Sequence, residues 1–123
     1  MGKIISIVNQ KGGVGKTTTA VNLSASLGVL EKKTLLIDAD PQANATSALG
    51  IELNVDQEEK TIYEVLEHNI DIKETIIKTD SPNLDVIPSN IDLVGAEIEL
   101  VNHPNREKML HDQIEIIKSN YDF

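Results

Sequence analysis

Apolar residues crowd the start of this 123-residue chain: Lys3 to Asn9 reads Lys-Ile-Ile-Ser-Ile-Val-Asn and runs directly into a glycine-rich stretch. A short run that is nearly all apolar predicts a strand buried on both faces, which in turn requires layers on both sides of its sheet. From Thr17 the spacing changes. Ala20, Leu23, Ser24, Leu27 and Leu30 recur at intervals of three and four, marking one face of a helix that fades at Glu31-Lys32-Lys33. Thr34 to Ile37 is a second apolar run, ending at Asp38. Residues 3–38 therefore predict a β-α-β unit with parallel strands and a right-handed crossover.

Beyond Asp40-Pro41 the chain is small and polar from Gln42 to Gly50, which predicts a loop with one helical turn at Ala45 to Leu49, and residues 51–60 read as surface loop. Thr61-x-x-Glu64 is a capping-box pattern ahead of Val65 and Leu66 and predicts a short helix, with another over Ile72 to Lys78. Leu84 to Ile87, stopped by Pro88, predicts a third strand. Ser89-x-x-Asp92 then caps a helix carrying Ile91, Val94, Ile98 and Val101 on one face. Pro104 suits the first turn of a last helix reaching about Ser119, with Leu110, Ile114 and Ile117 turned inward. The expected fold class is α/β: a parallel sheet flanked by helices on both faces, residues 1–123 forming part of one domain.

Composition narrows the chemistry. There is no cysteine, which removes disulfides, thiolate metal sites and thiol nucleophiles together. No apolar run approaches the length of a membrane span or a signal-peptide core, so the expectation is a cytoplasmic chain with no membrane partner. A net charge of -9 argues against nucleic acid held by bulk charge. The charge is uneven, however: residues 1–50 carry five lysines against Glu31, Asp38 and Asp40, a net of +2, and the acid is concentrated in residues 51–123. Chemistry directed at an anion belongs in the first part. His68, His103 and His111 share no metal-binding spacing, and three aromatics offer no platform for stacked bases.

That first part contains Lys11-Gly12-Gly13-Val14-Gly15-Lys16-Thr17-Thr18, between the first predicted strand and the first helix. The glycines permit the positive φ angles and close backbone approach by which successive N–H groups wrap an anionic oxygen, and the helix start adds its dipole. Lys16 is placed to reach β- and γ-phosphates, and the Thr17 hydroxyl to coordinate a bridging Mg²⁺. The strict P-loop pattern has a further glycine where this chain has Gln10, so the motif is a variant with its Gly-Lys-Thr end intact. A dinucleotide-binding turn is the rival, with Gly13-x-Gly15 after a strand and Asp38 as the ribose acid; against it, position 18 is Thr where that turn needs Gly or Ala. Asp40, beyond the second strand, is placed to polarise water near a γ-phosphate, or alternatively initiates an Asp-Pro turn. For Asp38 a direct and a supporting role both stand.

Lys11 adds a second cation to the loop, which a highly charged anion would compensate. With it, the segment resembles the deviant Walker A motif of ParA/Soj/MinD-type ATPases, in which the early lysine reaches nucleotide phosphates across a dimer interface. Leu36-Ile37-Asp38-Ala39-Asp40-Pro41-Gln42-Ala43-Asn44-Ala45-Thr46 is similar to the family's second motif. Val86 to Asn90 and Gly95 to Leu100 resemble the ParA/Soj branch. The resemblance implies an ATP- and Mg²⁺-binding partition ATPase. Lys16 and the backbone of Gly12, Gly13, Val14, Gly15, Thr17 and Thr18 would hold phosphates, with Thr17 on the metal and Lys11 acting in trans in a nucleotide-sandwich homodimer. Asp40 would orient the attacking water and Asp38 support the magnesium shell. A ParB-like activator and nucleoid DNA, the latter bound by carboxy-terminal parts, would be the partners.

The family's Walker B strand begins with a Tyr-Asp-Phe-like sequence, and here Tyr121-Asp122-Phe123 is followed by nothing further. The expectation is an amino-terminal fragment lacking the Walker B aspartate, with hydrolysis absent or very weak and exposed strand edges favouring self-association. The alternative to an ATP-binding part is an inactive fragment that acts only by self-association or protein contact.

Overall fold

The computed structural model describes residues 2–9, 15–53, 60–67, 70–90, 95 and 108–123. Its centre is a three-stranded sheet in the order β1-β3-β2, where β1 is Thr34–Ile37, β2 Ile77–Lys78 and β3 Leu84–Ile87. β1 pairs parallel with β3, Thr34 opposite Leu84 through Ile37 opposite Ile87. β2 pairs antiparallel with β3, so the sheet is mixed.

Helix α1, Lys16–Val29, packs against β1 and β3. On the sheet's other side, α3 (Ile62–Glu67), a 3-10 turn at Ile72–Thr75 and α4 (Met109–Ile117) pack together. Their core is Ile62, Val65, Ile72, Ile87 and Ile117, with Leu35, Ile37 and Leu110 packed against it. Helices thus flank both faces, as the two apolar strands require. Gly28 explains how closely α1 approaches the sheet: a Cβ there would stand 2.0 Å from the Pro82 carbonyl oxygen. The Gly28 carbonyl accepts from Asn83 Nδ2 at 3.1 Å, which locks the end of α1 to the turn before β3.

Several sequence expectations are corrected. Residues 3–9 form no strand; Ile4 and Ile5 are half exposed and Val8 is 85% exposed. Their apolar pattern specifies two-sided burial, but a strand forms only where neighbours supply a ladder, and among the described residues the ladder-type bond of this segment runs from Lys3 N–H to the Asp122 carbonyl at 2.9 Å. The predicted pairing of residues 3–9 with β1 in a β-α-β unit is therefore not made. The helix expected over Ile72 to Lys78 is a 3-10 turn followed by β2. Asp71 Oδ1 accepts from Lys73 N–H and caps the start of the turn, and the chain turns extended at Ile76. Leu30, assigned to the buried face of α1, lies beyond its end and is 68% exposed.

Other elements stand where the pattern placed them. The turn expected at Ala45 to Leu49 is α2, Asn44–Ala48. The Thr61-Glu64 box forms with the Glu64 carboxylate accepting from both the Thr61 N–H, at 3.0 Å, and the Thr61 hydroxyl. Ile117 is fully buried on α4, as its spacing requires. The helix expected after Ser89 lies outside the described residues apart from Gly95.

Candidate nucleotide-phosphate site

α1 opens with Gly15 at φ 90°, a left-handed conformation in which a side chain would be strained. The Gly15 carbonyl takes the first helical bond, from Thr19 N–H at 2.8 Å. Among the described residues no side chain caps this end, and no acidic residue stands in the first turn. The amides at the helix start are thus directed outward with the positive end of a 14-residue helix behind them. Lys16 and Thr17 are half-buried at this end and Thr18 is exposed. Lys16 Nζ donates to the Asn9 carbonyl at 3.5 Å, a long and exposed contact. Lys11, Gly12, Gly13, Val14 and their expected phosphate contacts lie outside the described residues.

The second wall is the chain leaving β1. Asp38 is buried, 4% exposed, and both its oxygens are used by the loop that follows. Oδ1 accepts from Asp40 N–H at 3.0 Å, and Oδ2 accepts from Thr46 N–H at 2.9 Å and the Thr46 hydroxyl at 2.6 Å. A carboxylate with three donors of its own is a fixed post around which residues 38–46 fold. This geometry favours the supporting role for Asp38 over direct contact with a metal. Thr46 Oγ1 accepts in turn from Ser89 N–H at 3.2 Å, tying the loop to the chain leaving β3.

Asp40 is half-buried, and its Oδ1 accepts from Gln42 N–H at 3.0 Å while its carbonyl accepts from Ala43 N–H. It therefore initiates the Asp-Pro turn that the pattern allowed. Among the described residues its Oδ2 accepts no hydrogen bond, which keeps one carboxylate oxygen available for chemistry. Ala43 caps α2 at φ 54°, an unusual conformation for alanine that leads the chain abruptly from the turn into the helix. α2 packs against α1, so the loop lies beside the helix that carries Lys16 and Thr17.

Thr46 and Ser89 were not legible as site residues, because no short-range motif links Asp38 to a hydroxyl eight residues on or to an amide from another strand. Among the described residues no group of three or more His, Asp or Glu side chains could hold a metal ion. A divalent cation here would rely on the Thr17 hydroxyl, Asp40 and phosphate oxygens, a donor set of hard oxygens that suits Mg²⁺. Among the described residues no helix is long and apolar enough to cross a membrane.

Comparison with known proteins bears on this arrangement. The chain is 54% identical over 123 residues to the sporulation initiation inhibitor protein Soj of Bacillus subtilis, covering all of this chain and 48% of Soj. A solved plasmid partition protein from Borrelia burgdorferi, bound to AMPPNP, is 38% identical with a TM-score of 0.86, covering 98% of this chain and 51% of that one. Cobyrinic acid a,c-diamide synthase from Mycobacterium smegmatis, with bound ADP and magnesium, is 34% identical with a TM-score of 0.91, covering 99% and 49%. The chain thus spans about half the length of the relatives it matches. The family model AAA_31, an AAA domain, matches residues 2–123, and with these relatives it shows that the chain belongs to that family, within its ParA/Soj-type P-loop ATPases.

Proposed function

We propose that this chain is the ATP- and Mg²⁺-binding part of a partition ATPase that works in the cytoplasm on chromosomal or plasmid DNA. The observation that carries the reading is the uncapped, acid-free start of α1 after left-handed Gly15, with Lys16 and Thr17 on its first turn and the Asp38-anchored loop beside it. Successive amides and the helix dipole suit a polyphosphate, Lys16 neutralises its β- and γ-oxygens, and Thr17 supplies a hard oxygen for the cation. Asp40 orients water for attack on the γ-phosphate, held in place by the hydrogen bond its backbone N–H donates to Asp38 Oδ1. Lys11 reaches the phosphates bound by a second copy, so that ATP closes a homodimer. A ParB-like activator and nucleoid DNA act on the protein through regions other than those described. The AMPPNP-bound partition protein and the ADP-magnesium synthase support the ligand class.

Titration calorimetry tests the reading. Mg-ATP is expected to bind weakly, with Kd on the order of 1 mM, with no measurable turnover, and binding is lost in Lys16→Ala. Affinity in the micromolar range, lost in the same variant, would overturn the expectation of a weak site. Preference for NAD over ATP would restore the dinucleotide reading. A second reading, an inactive chain acting by association alone, draws on the exposure of Ile4, Ile5 and Val8; it wins if no nucleotide changes the melting temperature.

A further inference from the structure

Two buried threonines hold the chain that leaves β3, and they hold it in the same way. Thr46 donates both its N–H, at 2.9 Å, and its hydroxyl, at 2.6 Å, to one carboxylate oxygen, Asp38 Oδ2. Thr61 donates both its N–H, at 3.0 Å, and its hydroxyl to one carboxylate oxygen, Glu64 Oε2. A carboxylate only accepts, so each hydroxyl proton is committed and each hydroxyl oxygen keeps its lone pairs for a donor from elsewhere. Those donors come from neighbouring residues. Ser89 N–H reaches Thr46 Oγ1 at 3.2 Å, and Asn90 Nδ2 reaches Thr61 Oγ1 at 3.2 Å. A hydroxyl polarised by a carboxylate is the stronger acceptor, so each carboxylate reinforces a contact that it does not itself make.

The Thr61-Glu64 pair thus does more than start α3. In a capping box the threonine oxygen serves an amide of its own helix, whereas here it receives Asn90. Ile62 N–H, in the first turn of α3, also donates to the Pro88 carbonyl at 3.0 Å. Residues 88–90 are therefore tied to α3 by two bonds and to the loop after β1 by the Thr46 bond. Thr46, Thr61, Glu64, Pro88 and Ser89 are all buried, so water does not replace a partner that is removed.

We propose that Thr61 and Glu64 are positioning residues for the loop that carries Asp40. They fix Ser89 and Asn90 from the α3 side; Ser89 holds Thr46, and Thr46 holds the Asp38 carboxylate that accepts from Asp40 N–H. The consequence for chemistry rests on the reading of Asp40 as the group that orients water, while the linkage from α3 to the loop does not.

Hydrogen exchange read residue by residue, on the chain as it is and without nucleotide, tests the assignment. The Thr34 amide, bonded to the Asn83 carbonyl, reports opening of the sheet, and exchange at Asp40 and Thr46 is measured against it. Thr61→Val keeps the side-chain shape and removes the oxygen. Exchange at Asp40 and Thr46 relative to Thr34 is expected to rise by about tenfold, as for a hydrogen bond lost among buried groups, and Thr61→Ser should return it to the wild-type value. Thr75→Val controls for the loss of a buried hydroxyl as such: Thr75 Oγ1 donates to the Ile72 carbonyl at 2.7 Å, within the 3-10 turn, and its removal should leave the ratio unchanged. Asn90→Ala removes the other donor from a half-buried position and should raise the same two amides, which keeps the test decisive if Thr61→Val does not fold. A rise confined to α3, a rise of equal size in Thr75→Val, or no recovery in Thr61→Ser would each overturn the proposal and reduce the pair to a helix cap. Failure of the wild type to bind Mg-ATP would remove the role given to Asp40 without changing these ratios, so the two failures are told apart.

Discussion

Replacing Thr46 with valine keeps the shape of the side chain and removes one oxygen. That oxygen donates to Asp38 Oδ2 at 2.6 Å and accepts from Ser89 N–H at 3.2 Å, among residues no more than 4% exposed. The substitution therefore subtracts a hydrogen bond to a charged group, about 1.5–3 kcal/mol, and strands a buried backbone donor, a further ~1–3 kcal/mol. The two share one network and do not add fully, because Asp38 keeps the amides of Asp40 and Thr46. A net loss of about 3 kcal/mol follows, and at about 4 °C per kcal/mol for a chain of this size the melting temperature should fall by roughly 12 °C. Urea unfolding followed by circular dichroism measures the same quantity, with the slope against denaturant unchanged if the folded state is otherwise intact. Thr46→Ser keeps the oxygen and should lose about 1 kcal/mol, the worth of a methyl group. If Thr46→Val lies within about 0.5 kcal/mol of wild type, the Asp38-Thr46-Ser89 connection does not hold the loop, and the support assigned to Asp40 fails with it.

Gly28→Ala should destabilise by about 1–3 kcal/mol although alanine favours helix, because its Cβ would meet the Pro82 oxygen, a backbone atom, at 2.0 Å; thermal unfolding decides, and a stabilised variant would show that α1 is packed less closely. Gly2→Ala meets the Tyr121 and Lys118 carbonyl oxygens at 2.7 and 2.8 Å and should selectively raise hydrogen exchange at Lys3, whose amide pairs with Asp122. Tyr121→Phe removes the donor to Asp85 Oδ2 at 2.7 Å and should cost about 1–2 kcal/mol. Burial and the Asp85 carboxylate push the Tyr121 hydroxyl above the usual phenol range. Its stabilisation is thus complete below pH 10 and lost only as pH rises through the raised value, so the difference in melting temperature should stay constant from pH 6 to 9.

What could be read from sequence was whatever depends on local spacing. The three- and four-residue rhythm of α1, the stop at Pro88 after β3 and the Thr61-Glu64 cap all rest on neighbours a turn or a strand away, and all appear. Residues 3–9 show the limit: Ile4, Ile5, Ile7 and Val8 report a preference for two-sided burial, while strand formation depends on segments distant in the chain. β2 was hidden for a related reason, since a two-residue antiparallel pairing is set by Val86 and Asp85 opposite it. At the candidate site, Gly15, Lys16 and Thr17 could be nominated from sequence because phosphate chemistry requires such residues at fixed spacing. The partners of Asp38 could not, because the Asp40 and Thr46 amides and the Thr46 hydroxyl are brought to its carboxylate by a folded loop.

The central claim, that the start of α1 binds nucleotide phosphate through Lys16, is tested most directly by melting with and without 10 mM Mg-ATP. For Kd on the order of 1 mM, ligand binding adds about 1.4 kcal/mol and should raise the melting temperature by roughly 4–6 °C. Lys16→Ala should melt with the wild type in the absence of ligand and show no rise in its presence. An equal rise in both proteins, or none in the wild type, would contradict the account.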